Sequence, residues 1–296
     1  MYAGSLASRG VIAVGLALVS ALLFGGMSVG LRIGLNRHPD ASLATLATIG
    51  GALVVTLVAA AVEVPSRGVH AGAAWPFALA GLIQPGVGQL LVTLAIREAG
   101  ASRASIVFGA APLVSVTIAL VALGEPLSAP LLAGAVLIVA GGFELTRERD
   151  RPEHVRPLGL VFAFAAMALF STRDNVLRWL AGNTTVPPAV AAAAALLGGM
   201  VVLVAALGPR VHRRPRLGEV APFLVVGVLF GLSYVALFEA YYRGRVTVVS
   251  PLIATESLWG VGLSMLLIRH TELVGRRLVV GALLVVAGGA LIGAFR

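Results

Sequence analysis

The sequence contains no cysteine and no lysine, and only 12% of its 296 residues are charged. A chain without cysteine forms no disulfide and offers no thiolate as a nucleophile or metal ligand. A chain without lysine lacks both the phosphate-binding G-x-x-x-x-G-K-[ST] loop and a Schiff-base lysine, which excludes a Walker-type ATP site. We therefore expect no cofactor and no metal.

Charged residues are too scarce for a soluble protein, in which they make up about 25% of the chain. Here 58% of the residues are hydrophobic, and they fall into long runs. Because a helix of about 20 residues crosses the hydrocarbon core of a bilayer, the runs predict an all-α integral membrane protein with ten spans, at residues 11–35, 42–63, 73–97, 102–123, 127–145, 157–181, 187–208, 219–242, 246–268 and 275–295. The first run is too long for a cleaved signal sequence.

The net charge of +9 comes from arginine alone, set against 13 acidic residues. A basic protein often binds nucleic acid, but these arginines lie at the ends of predicted spans and form no patch interleaved with aromatic residues. Such a distribution is typical of topology signals in membrane proteins. We expect the lipid bilayer as a partner and no nucleic acid.

The sequence repeats itself at an offset of about 147 residues, and such internal repetition indicates the architecture directly. Four pairs of segments match in the same order: Leu23–Phe24 with Leu169–Phe170, Leu31–Arg32 with Leu177–Arg178, Gly50–Gly51 with Gly198–Gly199, and Gly134–Gly142 (GAVLIVAGG) with Gly281–Gly289 (GALLVVAGG). The repeat predicts a first unit at residues 1–147, a polar linker at 148–156 and a second unit at 157–296. Since five spans are an odd number, the two units start on opposite sides of the membrane, which is the inverted-repeat plan of secondary transporters.

Several segments resemble the EamA domain of the drug/metabolite transporter superfamily. They are Ala95–Ser105 (AIREAGASRAS), Ala111–Pro112, Leu123–Leu127 (LGEPL) with Glu125, and the glycines of the fifth span, with Glu239–Arg245, Glu272 and the glycines of the tenth span as the second copy. The resemblance implies a ten-helix inverted-repeat transporter with a central cavity between its halves, commonly an exporter of amino acids, related metabolites or toxic compounds. The second copy departs from the family pattern, because Thr255-Glu256-Ser257 stands where a proline is expected in its fourth helix.

Glu256 lies near the middle of the predicted ninth span, where an ionisable side chain costs several kcal/mol unless it faces water, a partner or a solute. Trp259 and Gly260 follow at the spacing that puts them on the same helix face. We predict that Glu256 binds substrate and couples transport to protons, with Trp259 as a wall of the site. The alternative is a carboxyl that is only hydrogen-bonded inside the bundle.

Polar residues recur at similar depth in two other spans. Gln84 and Gln89 flank Pro85, which removes a backbone donor at mid-span and frees a carbonyl group. Broken helices of this kind supply groups to solutes in transporters, and the alternative is a packing kink. Ser233 and Tyr234 occupy the equivalent part of the eighth span, and we predict all four polar residues as substrate-binding.

Asp174 and Asn175 are further substrate-binding candidates in the sixth span. Asp174 is predicted to pair with Arg178 at i+4, and Glu239 with Arg243 in the eighth span. Structural ion pairs near the membrane interface are the alternative interpretation of both pairs.

Gly26-x-Ser28-x-Gly30 matches the G-x-S-x-G pattern of serine hydrolases and suggests an intramembrane hydrolase. All five histidines lie in predicted connections, however, so none is available within the membrane to activate Ser28. Glycines at positions 26, 30 and 34 are better explained as a stripe of small residues for close helix packing. We predict no enzymatic activity.

Taken together, these features predict a secondary transporter that exports a small metabolite or drug-like solute by alternating access, with protons as the coupling ion. An uncoupled facilitator is the first alternative, and a membrane scaffold or sensor the second. The expected location is the inner (cytoplasmic) membrane, with both termini on the same side. The resemblance implies termini in the cytoplasm, whereas the side opposite the termini carries 15 arginines against 7, which favours termini outside.

Overall fold

The computed structural model describes residues 2–67, 71–111, 113–114, 129–146, 156–211, 215–244, 246–268, 270 and 275–294. Every secondary-structure element in these ranges is a helix, as the sequence predicts. Some sequence features discussed above lie outside the described residues: Pro112, the segment Leu123–Leu127 with Glu125, residue 147 of the first unit, the linker residues 148–155, Arg245 and Glu272.

The first half of the chain forms α1 (Tyr2–Arg37), α2 (Ala41–Arg67), α3 (Trp75–Gly81), α4 (Gly88–Ala99), α5 (Ala101–Phe108) and α6 (Ala129–Thr146). A π-helical segment, Leu82–Val87, joins α3 to α4. The start of α2 follows from Asp40, whose carboxylate accepts hydrogen bonds from the backbone N–H groups of Ser42 and Leu43 at 2.9 and 3.0 Å. A side-chain oxygen at this position satisfies donors that the first helical turn leaves unpaired.

The second half forms α7 (Pro157–Gly182), α8 (Pro188–Leu207), α9 (Leu217–Arg243), α10 (Val246–Ile253), α11 (Glu256–Leu267) and α12 (Arg276–Ala294). Prolines begin α7 and α8, because the first helical position needs no N–H and favours the fixed φ of proline. The start of α8 is also held by the carboxylate of Glu63, which accepts the N–H of Ala189 at 2.8 Å.

Seven stretches of the described chain are long and apolar enough to cross a membrane: Gly10–Arg37, Ala41–Pro65, Gly72–Ala99, Pro157–Gly182, Pro188–Arg210, Leu217–Arg243 and Val249–Leu267. They coincide with seven of the predicted spans, and the chain is a multi-pass membrane protein. The predicted count of ten is not confirmed. Two further predicted spans correspond to the helices α6 and α12, and α5 is the described beginning of the span predicted at 102–123.

The third and ninth predicted spans are broken at mid-length. In the third span Gln84 leaves the helical conformation (φ −139°, ψ 112°) immediately before Pro85. In the ninth span the helix is interrupted between α10 and α11, where the hydroxyl of Thr255 donates to the carbonyl of Leu252 at 2.6 Å and that of Ser257 to the carbonyl of Ala254 at 2.9 Å. Side-chain hydroxyls thus satisfy carbonyl groups that lipid cannot.

The close contacts between the two halves occur in equivalent pairs. When a residue of the first half contacts a residue of the second, the repeat equivalents of the two residues contact each other as well. Where α6 crosses α12, Gly141 lies against the carbonyl of Gly281, and Gly288 lies against the carbonyl of Gly134. By the sequence repeat, Gly134 is equivalent to Gly281 and Gly141 to Gly288. Reciprocal contacts of this kind are the property of a two-fold arrangement.

Reciprocal contacts of the same kind join the second span of each half to the third span of the other half. Gly51 of α2 packs on Gly227 of α9, and the equivalent Gly199 of α8 lies against the carbonyl of Gly81 in α3. All four positions lie where backbone meets backbone. Small residues are required there because helix axes approach most closely where no side chain intervenes.

The glycine crossing of α6 and α12 gives a prediction for stability. A β-carbon at Gly141 would lie 2.7 Å from the carbonyl oxygen of Gly281 and 2.8 Å from the Val285 side chain, so one helix must move. We expect Gly141→Ala to cost about 1–3 kcal/mol, as overpacking does, and to lower the thermal unfolding temperature of the purified protein in detergent. Gly262→Ala is the control, because nothing lies within 4 Å of that position. Equal unfolding temperatures for the two variants would contradict the crossing.

Candidate functional site

The helices α5 and α11 cross beside the points at which their spans are interrupted. The chain leaves α5 through a turn at Gly109–Ala110, and Gly109 lies against the carbonyl of Ala254 and the side chain of Ser257. On the other side of the crossing, Gly260 packs directly on Ser105. The crossing therefore places the interruption of the fourth span against that of the ninth.

A small cavity of about 20 Å³ lies at this crossing. A volume of this size holds about one water molecule. Its lining consists of Phe24, Phe108, Ala111, Phe170, Arg173, Asp174, Ser250, Ile253, Ala254 and Glu256. Both halves of the chain contribute walls, so the cavity lies between them.

The cavity contains a buried ion pair between consecutive residues of α7. Arg173 donates from Nε and Nη2 to the same carboxylate oxygen of Asp174, at 2.9 and 2.7 Å. The side chains are only 6% and 3% exposed. A buried pair is costly to desolvate and gives weak support to stability, so its retention at the centre of a membrane protein points to a functional role.

Aromatic side chains surround the guanidinium group of Arg173. Its Cζ lies 5.3 Å from the ring centre of Phe170 and 5.5 Å from that of Tyr234, distances at which a cation is attracted to a ring face. Its Nη1 also approaches the Tyr234 hydroxyl at 3.5 Å. Tyr241, fully buried, lies beside Asp174. The rings keep the ion pair out of lipid while leaving it beside the cavity.

Glu256 is the first residue of α11 and is 7% exposed. Its charged neighbours are Arg173 and Asp174, both on α7. The start of a helix carries a partial positive charge from unpaired N–H groups, which favours an anionic group at this position. The arrangement therefore joins three ionisable side chains, two acidic and one basic, around one small cavity.

The ionisable groups of the cavity come from one half only. By the sequence repeat, Arg173 and Asp174 are equivalent to Met27 and Ser28 of α1, and Glu256 lies in the segment equivalent to Ala111–Pro112. The walls follow the two-fold arrangement, as Phe24 and Phe170 show, whereas the charges do not. The charged side chains that line the cavity therefore all belong to the second half.

The structure brings together three of the eight predicted substrate-binding residues. Asp174 and Glu256 line the cavity, and Tyr234 contacts Arg173. Gln84 and Gln89 are both buried but lie outside the lining of this cavity. Gln84 instead lines a second, larger groove between α3 and α7.

The other three predicted residues lie elsewhere. Trp259 is 42% exposed on the outer face of α11, so it is not a wall of the cavity that Glu256 lines. Ser233 exchanges hydrogen bonds with Ser20 of α1, including 2.9 Å from its hydroxyl to the Ser20 carbonyl, and thus ties two helices together. Asn175 donates to the carbonyl of Ser171 within its own helix at 2.8 Å.

The predicted pairing of Asp174 with Arg178 is wrong. Arg178 instead donates to the carbonyl of Tyr241 at 2.9 Å, just as its repeat equivalent Arg32 donates to the carbonyl of Arg97 at 2.8 Å. Each arginine therefore binds the end of the third span of its own half, which is α4 for Arg32 and α9 for Arg178. The predicted pair between Glu239 and Arg243 is confirmed.

Arg173 is the residue that the sequence analysis missed. It was grouped with the arginines at span ends, yet it is 8% exposed and lies in the interior of α7. Its depth in the predicted span, eight residues or about 12 Å before the end at residue 181, was the available signal.

The glycines of the Gly26-x-Ser28-x-Gly30 motif serve close helix packing. Gly26 and Gly30 pack on α9, with the position of a β-carbon at Gly30 3.1 Å from Val226. The small-residue stripe is confirmed as a packing surface. Within the described ranges no three His, Asp or Glu side chains converge to hold a metal ion.

Comparison with known proteins identifies the sequence pattern and the fold. The profile of the EamA-like transporter family matches the chain twice, over residues 11–146 and 157–294. A crystal structure of another protein superposes on the chain with a TM-score of 0.63 at 21% sequence identity, covering 96% of each chain. At that identity the similarity concerns the fold alone. Comparison with curated proteins gives no match.

Proposed function

Because the chain belongs to the EamA-like transporter family, we propose that it is a secondary transporter that exports a small metabolite or drug-like solute across the cytoplasmic membrane. The observation that carries the proposal is the buried Arg173–Asp174 pair, which shares a cavity between the two halves with Glu256. A protein that only needed a stable fold would gain little from such a group of charges. A transporter needs them where a polar solute crosses the bilayer midplane.

The proposed architecture is ten spans in two inverted repeats of five. It is supported by the reciprocal glycine contacts, in which Gly141 meets Gly281 while Gly134 meets Gly288. It is also supported by the equivalent interruptions in the fourth and ninth spans. In transporters with inverted repeats, solute sites form at such interrupted helices near the repeat interface.

Two equivalent closures, at opposite ends of the proposed bundle, would serve alternating access. At one end Gly159 of α7 packs on Ala99, and the N–H of Arg156 donates to the carbonyl of Glu98 at 2.8 Å. At the other end the equivalent contact joins Gly244 to Ala13. Rocking of the halves would separate one closure while the other holds, and would expose the cavity to each side in turn.

Within the site we assign solute binding to Arg173, Asp174 and Tyr234, and proton binding to Glu256. The cavity of about 20 Å³ corresponds to a closed state, which opens when either closure separates. Proton coupling is favoured over uncoupled facilitation because two carboxyl groups and one guanidinium share the cavity. Loss or gain of a proton there changes the charge balance that a solute meets.

The proposal is tested by transport itself. Cells with and without the gene are screened for resistance to, and export of, amino acids, nucleosides and amphipathic drugs, and the solutes that respond are assayed with purified protein in proteoliposomes. We expect gene-dependent export of at least one solute and pH-driven movement of that solute in liposomes. Export that is lost on purification would contradict the proposal and favour the scaffold or sensor alternative.

The orientation of the chain gives a prediction of its own. Arginine and lysine concentrate on the cytoplasmic side of membrane proteins, and the side opposite the termini carries 15 of the 22 arginines. We therefore expect both termini outside. The chain has no native cysteine, so Pro152→Cys and His212→Cys each introduce a single thiol. In intact cells an impermeant thiol reagent is expected to leave both unlabelled until the cells are opened. Labelling in intact cells would place the termini in the cytoplasm.

A further inference from the structure

A second depression in the protein breaks the two-fold arrangement. It is a groove of about 340 Å³ between α3 and α7, in the size range of small-molecule sites. Its lining is formed by Trp75, Pro76, Leu79, Ala80, Ile83, Gln84, Leu169, Thr172, Arg173, Val176, Trp179 and Leu180. Most of these side chains are apolar, and the polar ones are Gln84, Thr172 and Arg173.

The groove exists because of the side chains that the sequence places on one face of α7. In the first half, Gly26, Gly30 and Gly34 of α1 allow α9 to pack closely, with Phe223 directly on Gly34. In the second half the equivalent positions are Thr172, Val176 and Leu180. These larger side chains all line the groove, and they keep α3 away from α7.

The outer wall of the groove faces lipid. Trp75, Leu79 and Trp179 are 63%, 52% and 67% exposed, which in a membrane protein means contact with hydrocarbon or headgroups. Trp75 begins α3 and Trp179 lies near the end of α7, so both belong to the same side of the membrane. The groove runs from that side to Gln84, nine residues or about 13 Å along the span.

The inner end of the groove is polar and is lined by Arg173, which also lines the central cavity. Gln84 is 2% exposed and Arg173 8% exposed. Arg173 lines both the groove and the cavity that contains Asp174 and Glu256. One molecule can therefore lie with an apolar part in the groove and a hydrogen-bond acceptor at the guanidinium group.

We propose that the transported solute is an amphipathic anion, whose apolar tail occupies the groove between α3 and α7 and whose anionic head contacts Arg173 and the Gln84 amide. The proposal rests on the transport function proposed above and specifies its substrate class. The apolar lining selects for the tail, since each buried methylene contributes about 0.8 kcal/mol. Asp174 occupies Nε and Nη2 of the guanidinium group. Nη1, whose described contact is the Tyr234 hydroxyl at 3.5 Å, is the group that selects for the anionic head, because guanidinium donors bind carboxylate and phosphate groups with directed hydrogen bonds.

Intrinsic fluorescence gives a direct test of binding, because two of the three tryptophans, Trp75 and Trp179, line the groove. The probe is N-(ω-bromodecanoyl)glycine, whose bromine quenches tryptophan on contact, added to the full-length protein in nanodiscs. The Trp259→Phe variant reports the groove alone. The Trp75→Phe/Trp179→Phe variant retains Trp259, which reports unspecific partitioning into lipid. We expect saturable quenching in the first variant and only gradual, unsaturable quenching in the second.

Two controls separate the proposed occupant from a resident lipid chain. Competition by unlabelled N-decanoylglycine is expected to be at least about tenfold stronger than by N-acetylglycine, because of the buried methylenes, and about tenfold stronger than by the uncharged methyl ester, because of the head. If the ester competes equally well, the groove holds an acyl chain regardless of its head, and the anionic substrate class is wrong.

A matched pair of substitutions locates the site. Ala80→Phe places a ring in the groove and is expected to weaken saturable binding by about tenfold or more. Val225→Phe lies on the lipid-facing surface of α9, at the repeat equivalent of Leu79, and is expected to leave binding unchanged. Equal binding by both variants would overturn the proposal.

Transport assays separate this proposal from the transport function on which it rests. If binding is saturable and depends on the head, but proteoliposomes show no transport, the groove proposal stands and the transporter function is wrong. If short polar solutes are transported with no dependence on tail length, the transporter function stands and the groove proposal is wrong.

Discussion

Asp174→Ser is expected to be among the most destabilising single substitutions in this protein. It removes the hydrogen-bonded partner of Arg173 and leaves a buried guanidinium group, whose remaining described neighbours are aromatic rings and, in the same cavity, the carboxyl group of Glu256. Removal of one member of a buried ion pair costs about 3–5 kcal/mol, because the other charge stays without compensation. We expect a strong fall in yield and a thermal unfolding temperature many degrees below that of the unmodified protein.

The double variant Arg173→Met/Asp174→Ser is the matched control, because it copies Met27 and Ser28 from the equivalent positions of α1. Both of these residues are 3% exposed, so the pair is compatible with a buried environment. Replacement of a whole buried pair by neutral residues is often neutral or stabilising. The double variant should therefore fold well and still fail to transport. Normal transport by this variant would exclude the ion pair from the mechanism, and equal instability of both variants would show that the pair is structural.

Glu256→Gln is expected to abolish pH-driven accumulation while leaving downhill exchange of solute measurable. Glutamine keeps the shape of the protonated carboxyl but cannot release a proton, so the halves can still rock with solute bound. The groups that face this position are Arg173 and Asp174 from α7 and Ser250 from α10, beside the ring of Phe24 from α1. Accumulation under an imposed pH gradient and exchange without one, both in proteoliposomes, measure the two properties separately.

Glu239→Gln is the control for this experiment, because Glu239 pairs with Arg243 and lies outside the lining of the cavity. It is expected to preserve proton coupling. If Glu256 is only a structural hydrogen-bonding group, glutamine will leave the pH dependence unchanged, and Glu256→Leu will lower protein yield more than it alters coupling. Unaltered coupling in well-folded Glu256→Gln protein would remove Glu256 from the mechanism and make Asp174 the next candidate.

Glu256 and Asp174 could be identified as candidates from the sequence because each carries a charge inside an apolar run. Their assembly around one cavity could not, because it depends on how α7 and α11 are positioned by other helices. Arg173 was missed for a related reason. An arginine about two turns from a predicted span end can still reach the interface, so its depth in the span is only a weak signal. The aromatic neighbours from α7 and α9 show that Arg173 is buried.

Trp259 illustrates the limit of helical periodicity. It shares a helical spacing with Glu256, but α11 begins at Glu256 after an interruption, and the indole points toward lipid. Ser233 illustrates another limit, since a hydroxyl in a span serves a solute or a neighbouring helix with equal ease. Its partner Ser20 is 213 residues away in the sequence, and no local sequence pattern predicts that contact.

The sequence by itself determined the helical class, the membrane location, the duplication and the family, because these depend on composition and on periodic patterns that a bilayer and a repeat impose on every residue. The packing role of Gly26, Gly30 and Gly34 followed as well, since close helix packing requires small residues at regular spacing. Only the tertiary structure decided which charges meet and where the halves differ. Arg173, Asp174 and Glu256 converge because α7 and α11 pack at one crossing, and the groove between α3 and α7 exists because Thr172, Val176 and Leu180 occupy positions that are glycine in α1. Such contacts depend on distances between segments far apart in the chain, which no local pattern specifies.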